Sequence, residues 1–106
     1  MAKKVATVAK HTDYPTGGCR RVYNLSKPAQ TLVTQMLHKK PRRRLLVPCV
    51  CADFETTPDR GPETMVFACT ETGSIINYQD LVCMPGDHAR DDEAVRSLGI
   101  EVWDER

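Results

Sequence analysis

Between positions 26 and 41 the apolar residues fall on a helical spacing. Ala29, Leu32, Val33, Met36 and Leu37 stand at i, i+3, i+4, i+7 and i+8, the signature of one buried stripe. Gln30, Thr34, Gln35 and His38 take the opposite face. Ser26 is placed to cap the first turn, Pro28 is tolerated there, and Pro41 ends the run. The pattern predicts a helix over 27–39.

Elsewhere the spacing is shorter. Residues 3–10 and 19–25 read as strands around Val5, Val8, Val22 and Tyr23, joined by a loop rich in Pro and Gly. The run from Leu45 to Phe54 is too short and too uniformly apolar for an amphipathic helix, and reads as a buried strand. Pro48 cannot donate to a ladder, so it marks an edge or a bulge. Glu55 to Glu63 reads as a polar loop. Residues 64–79 predict a β-hairpin in which Gly73 supplies the positive φ of the turn. A second helix over 88–98 is capped by Asp87 or Asp91, with Gly99 at its C-terminal exit, and a short strand at 100–103 closes the chain. The order β-β-α-β-β-β-α-β defines an α+β fold: one small domain over 1–106, with a mixed or antiparallel sheet and two helices.

Charge divides this domain in two. Before Cys49 stand eleven Lys and Arg against one acid, Asp13; from Cys49 on, four Arg face thirteen Asp and Glu. A net charge of +1 thus conceals a basic half, 1–48, and an acidic half, 49–106. Arg20, Arg21, Lys39, Lys40, Arg42, Arg43 and Arg44 are the candidate nucleic-acid contacts, because clustered guanidinium and ammonium groups displace counterions from phosphate backbones. Tyr14 and Tyr23 lie near them in sequence and offer rings for base stacking. The bland alternative is that the acidic half folds onto the basic half and neutralises it.

The five cysteines are Cys19, Cys49, Cys51, Cys69 and Cys83. An odd count without a secretory signal argues against a disulfide framework and for an intracellular, cytoplasmic chain. Cys49, Cys51, Cys69 and Cys83 form the candidate metal set, with structural zinc as the candidate cofactor. The C-x-C pair followed by a hairpin resembles a degenerate zinc-ribbon hairpin, with Thr72 where a second knuckle cysteine would stand. Buried core thiols are the competing reading.

Catalytic signals are sparse. His11 with Asp13 and Asp87 with His88 are loop His–acid pairs whose spacing matches no motif. Cys19, beside Arg20 and Arg21, has the most electropositive surroundings of any thiol, yet a cysteine after two glycines is weak evidence for a nucleophile. No phosphate-cradling glycine motif is present, and no apolar run approaches the roughly 18–20 residues of a membrane span.

These features point to a small non-enzymatic protein that binds nucleic acid or a nucleoprotein complex through its basic surface. The alternative is an inhibitor or adaptor of the viral anti-defence type, docking on a basic protein through seven acids in its last twenty residues. Sheet edges near Pro48 and Trp103 offer pairing across a homodimer.

Overall fold

A computed structural model describes residues 3–15, 17–37, 46–57, 59, 61–76, 80–86 and 90–103. The chain runs β1 (Val5–Asp13), β2 (Cys19–Leu25), α1 (Lys27–Leu37), β3 (Cys49–Thr57), β4 (Gly61–Cys69), β5 (Val82–Pro85), α2 (Asp91–Arg96) and β6 (Glu101–Trp103). The types of element follow one another in the expected order, although the fifth strand lies at Val82–Pro85, beyond the expected 64–79 hairpin. All six strands join one strongly curled sheet in the order β5-β4-β3-β2-β1-β6. Every neighbouring pair is antiparallel except β1 and β6, which run parallel. The small α+β domain is thus mostly sheet. Its radius of gyration, 13.4 Å, is close to the ~13 Å of a compact domain of this length.

Strand alternation sorts the side chains onto two faces. Tyr23, Leu25, Val50, Ala52, Val66 and Ala68 point to the helical side, where they pack with Ala29 and Val33 of α1 and Ala94 and Val95 of α2. Val22, Cys49, Cys51, Phe67 and Cys69 point to the other side and pack with Met65 and Ile75. Both helices therefore lie on one face. Over the β2–β3–β4 part of the opposite face lies the turn after β4, with the Gly73 carbonyl reached by the Arg20 guanidinium at 3.5 Å.

The structure corrects several local expectations. Ser26 does not cap α1 with its side chain. Its hydroxyl accepts from Val5 N–H and donates to the Lys3 carbonyl, both at 2.9 Å, so it ties the helix entry to β1. The buried stripe of α1 is also rotated from the one predicted. Thr34 is buried while Met36 is exposed, because the chain returning toward β3 crosses the Thr34 side. The Thr34 hydroxyl donates to the Gln30 carbonyl at 2.7 Å and accepts the Val47 N–H at 2.9 Å. That pair of bonds satisfies a polar group that the helical spacing placed outward.

Glu55–Thr57 and Gly61–Glu63, expected within a loop, are strand. β3 and β4 extend into these residues and pair from Cys49↔Cys69 to Thr57↔Gly61. The chain does fold back after Cys69, with Gly73 at a φ of 89° and a bridge between Cys69 and Ile75. Ser74 and Ile76 bond back to Thr70 and Ala68 at the end of β4, and β5 pairs with β4 from Val66 to Glu63. Asn77 and Tyr78 lie outside the described residues. In α2, Arg90 rather than an aspartate holds the N-cap position, and it makes no side-chain cap bond. Lys39, Asp87 and His88 lie outside the described residues, and with them the C-terminal limit of the first predicted helix and the N-terminal limit of the second; α2 ends at Arg96, short of the expected 98.

Candidate functional site

Two surfaces bring chemistry-bearing side chains together, one on each face of the sheet. The first is a cleft of about 300 Å³ on the helical face, lined by residues of β1, β2 and α2 and by Arg90. The β1–β2 register sets His11 across from Arg21 and Asp13 across from Cys19, and the start of α2 covers that end of the hairpin. Tyr23 is fully buried beneath it and donates its hydroxyl proton to Asp92 at 2.6 Å. Burial beside a carboxylate pushes this phenol far above its ordinary range. Arg21 grips both oxygens of Asp92 with one terminal nitrogen at 3.1 Å. Its Nε donates to His11 Nδ1 at 2.9 Å, and His11 Nε2 pairs with Asp13 Oδ1 at 2.8 Å. A guanidinium has only donors, so Nδ1 must carry the lone pair and Nε2 the proton. The two ring nitrogens of His11 thereby take defined roles, Nδ1 accepting and Nε2 donating. Its pair with Asp13 exists as expected, on a strand rather than in a loop.

Beside this network, Cys19 donates its thiol proton to Asp91 Oδ2 at 3.2 Å. Desolvation, then the Asp91 carboxylate, push the thiol up to about 12, so at neutral pH it is not a thiolate and not an activated nucleophile. Asp91 is 5% exposed, and its Oδ1 has no hydrogen-bond partner among the described residues. Burial raises its carboxyl, and the Cys19 thiol and Arg21 offset the shift only in part. A carboxyl raised in the fold holds its proton over a range where the unfolded chain has lost it. Its contribution to stability is therefore favourable at low pH and lost as pH rises from about 3.9 toward the raised value. Asp91→Asn should then be no less stable than the parent at pH 7 in chelator-containing buffer. That relative advantage should disappear below pH ~4; urea unfolding at both pH values measures it, and an advantage that grows on acidification would contradict it.

The second surface is the uncovered part of the opposite face, over β1 and β6. The parallel register sets Trp103 beside Thr7 and Glu101 beside Val5. Trp103 is 44% exposed and borders a shallow depression with Lys3, Val5, Thr7 and Asn24. Farther along β1 on the same face, Lys10, Thr12 and Tyr14 line a smaller hollow with Arg20 and Gly73. Lysines and an indole thus share an open strand surface.

The predicted contacts distribute unevenly across these surfaces. Arg20 and Arg21, adjacent in sequence, project to opposite faces, and both are engaged in ion pairs. Arg20 makes a two-pronged pair with Asp53 at 2.6 and 2.9 Å, which holds its guanidinium even more firmly charged than usual. Lys39, Lys40, Arg42, Arg43 and Arg44 lie outside the described residues. Of the four candidate zinc ligands, Cys49, Cys51 and Cys69 share the buried layer of the second face. Cys69 donates its thiol proton to the Cys51 sulfur, and that bond together with burial raises Cys69 strongly. Cys49 hydrogen-bonds Asn24 Oδ1 at 3.3 Å. Cys83 is not brought to them. It stands opposite Met65 on β5, four positions along β4 from Cys69 or about 13 Å, with its thiol 3.4 Å from Glu63 Oε2. Among the described residues, the one set of three potential ligands that converges is His11, Cys19 and Asp91, with their ligand atoms all within 4.8 Å of one another. Their separation in sequence hid them; only the hairpin register and the docking of α2 bring them together.

What these features define is a class: a small curled-sheet α+β domain with helices on one face and an open aromatic–basic strip on the other. No family model matches the chain, and no curated protein or solved structure matches it either. Among the described residues, no helix is long and apolar enough to cross a membrane.

Proposed function

We propose that this is a non-enzymatic accessory protein that binds single-stranded nucleic acid, with the open face of β1 and β6 as its contact surface. The observation that carries this reading is Trp103, 44% exposed on a strand surface shared with Lys3 and Lys10. An exposed indole offers a π-face to any base, and neighbouring ammonium groups attract the phosphates. Asn24, Thr7 and Thr12 add hydrogen-bonding groups on the same face. Arg20 borders it but is committed to Asp53, so it contributes field rather than a free donor pair. The Lys39–Arg44 segment, six residues that include five of the candidate contacts, supplies further phosphate attraction in this reading.

Trp103 is the chain's single tryptophan, so its fluorescence reports binding directly. Titration with single-stranded oligonucleotides at low salt should quench it, and the affinity should fall steeply as salt rises. Trp103→Ala should weaken binding about 5- to 150-fold, the range of one lost base stack, while Trp103→Phe recovers part of that loss. Unchanged affinity in Trp103→Ala, coupled with loss of binding in an Arg42/Arg43/Arg44 triple alanine variant, would transfer the contact to the basic segment. Absence of binding at low salt would reject the reading altogether.

A further inference from the structure

We infer that His11, Cys19 and Asp91 form a zinc-binding site that clasps the start of α2 to the β1–β2 hairpin. The site lies on the helical face, away from the Trp103 surface, and does not depend on the nucleic-acid reading. Three observations converge on it.

The donor set comes first. A thiol, an imidazole and a carboxylate, one each, are the ligand types that favour Zn²⁺ over oxygen-seeking Mg²⁺ or Ca²⁺. Their atoms already lie within 4.8 Å of one another. Tetrahedral ligands at zinc–ligand distances of about 2.0–2.3 Å stand about 3.3–3.7 Å apart, so side-chain adjustments of an ångström or so complete the contact. No strand has to move.

The second observation is the orphaned oxygen. Asp91 is 5% exposed and its Oδ1 finds no partner among the described residues. Leaving a buried carboxylate oxygen unpaired is costly, and a cation beside it removes the cost. The neighbouring Oδ2 holds the Cys19 thiol proton at 3.2 Å, so the carboxylate is already joined to a second member of the set.

The third is the state of His11. Its Nδ1 lone pair faces a positively charged donor, the Arg21 Nε–H, while its Nε2–H is held by Asp13. An imidazole oriented by a carboxylate on its far nitrogen is the usual arrangement of a metal-bound histidine. On binding, Zn²⁺ takes the place of the Arg21 Nε–H at Nδ1. Arg21 retains its two bonds to Asp92 through Nη1. Zn²⁺ also replaces the thiol proton of Cys19, which leaves to solvent, so one proton is released for each ion bound. The fourth position opens onto the cleft and is filled by water.

Cobalt and zinc test this on the full chain under reducing conditions. Co²⁺ should bind with one equivalent and produce a thiolate-to-cobalt charge-transfer band in the near ultraviolet. Zn²⁺ should displace it. In the unaltered protein Zn²⁺ should slow alkylation of Cys19, read by peptide mass spectrometry, while the exposed Cys83 stays reactive as the internal reference. Asp91→Asn and His11→Gln, with folding checked by circular dichroism, should weaken Co²⁺ binding at least tenfold, and Cys19→Ser should abolish the charge-transfer band. The proposal is overturned if Cys19 alkylates equally fast with and without Zn²⁺. A charge-transfer band that survives in Cys19→Ser overturns it too, since that ion sits on another of the cysteines. Co²⁺ affinity in Asp91→Asn within twofold of the parent has the same force.

Discussion

Gly18→Ala is expected to lower stability by about 3 kcal/mol, at the upper end of the range for overpacking. Gly18 lies directly before β2, where it approaches the backbone of β3 so closely that a Cβ would overlap the carbonyl oxygen of Phe54. The same atom would press on the Tyr14 ring at 3.2 Å. A flexible side chain would swing aside, but a carbonyl in the middle of a ladder does not. Cys19 pairs with Phe54 in that ladder, so relief requires β2 and β3 to part at the end where Cys19 and Arg20 project. The damage therefore reaches both faces. Chemical denaturation measures the loss, and a stability within 1 kcal/mol of the parent would show that the β2–β3 contact is looser than drawn. Because Tyr14 N–H donates to the Gly18 carbonyl at 2.8 Å, the turn between β1 and β2 should loosen in the same variant.

The second large effect is expected at Arg20. Its guanidinium holds both oxygens of Asp53, a residue only 4% exposed. Arg20→Ala leaves that carboxylate buried, with the Tyr14 hydroxyl, donating at 3.3 Å, as its remaining side-chain partner among the described residues. Removing one partner of a buried ion pair costs about 3–5 kcal/mol, and the partial exposure of the Arg20 side chain places this case near 3. The expense is the orphaned charge more than the lost attraction, which yields a discriminating control. Arg20→Ala combined with Asp53→Leu should recover most of the stability, whereas Arg20→Lys should recover little, because a single ammonium cannot reproduce the fork. A double variant no more stable than Arg20→Ala would show that the attraction itself dominated. Any loss of nucleic-acid binding in Arg20→Ala must accordingly be measured on protein shown to be folded.

Arg20 also shows how far the sequence could be read. Eleven basic residues before Cys49 looked like one surface, yet consecutive strand residues alternate, so Arg20 and Arg21 could never share a face once β2 was assigned. Both met acids of the second half: Asp53 on β3 for one, Asp92 on α2 for the other. At these two positions the halves neutralise each other, as the bland reading of the charge pattern had it. Helix α1 and the element order were legible because they rest on local periodicity. Thr34 was not, since its burial is decided by where the chain returns after the helix. The extension of β3 and β4 into Glu55–Glu63 was masked by Pro62 and the acids of that stretch, which composition alone assigns to a loop. The strand nonetheless takes them, with Thr56 across from Pro62. Residues that meet only through register and docking were the least visible: His11, Cys19 and Asp91 lie eight and 72 positions apart, and Trp103 reaches its surface through a parallel pairing that no local signal announces.

That parallel pairing has a kinetic consequence. Val5 and Glu101 are partners across nearly the whole described chain, the widest sequence separation of any strand pair in the sheet. Closing so long a loop carries the greatest entropic cost of any step in building the sheet, and contacts of this kind slow folding. Until β6 docks, β1 is an unpaired edge and the indole is not yet beside Lys3 and Thr7. The surface proposed to bind nucleic acid is therefore completed only when the two ends of the described chain have met. A partially folded molecule, or one still emerging from the ribosome, would carry the basic charge without the platform proposed to work with it.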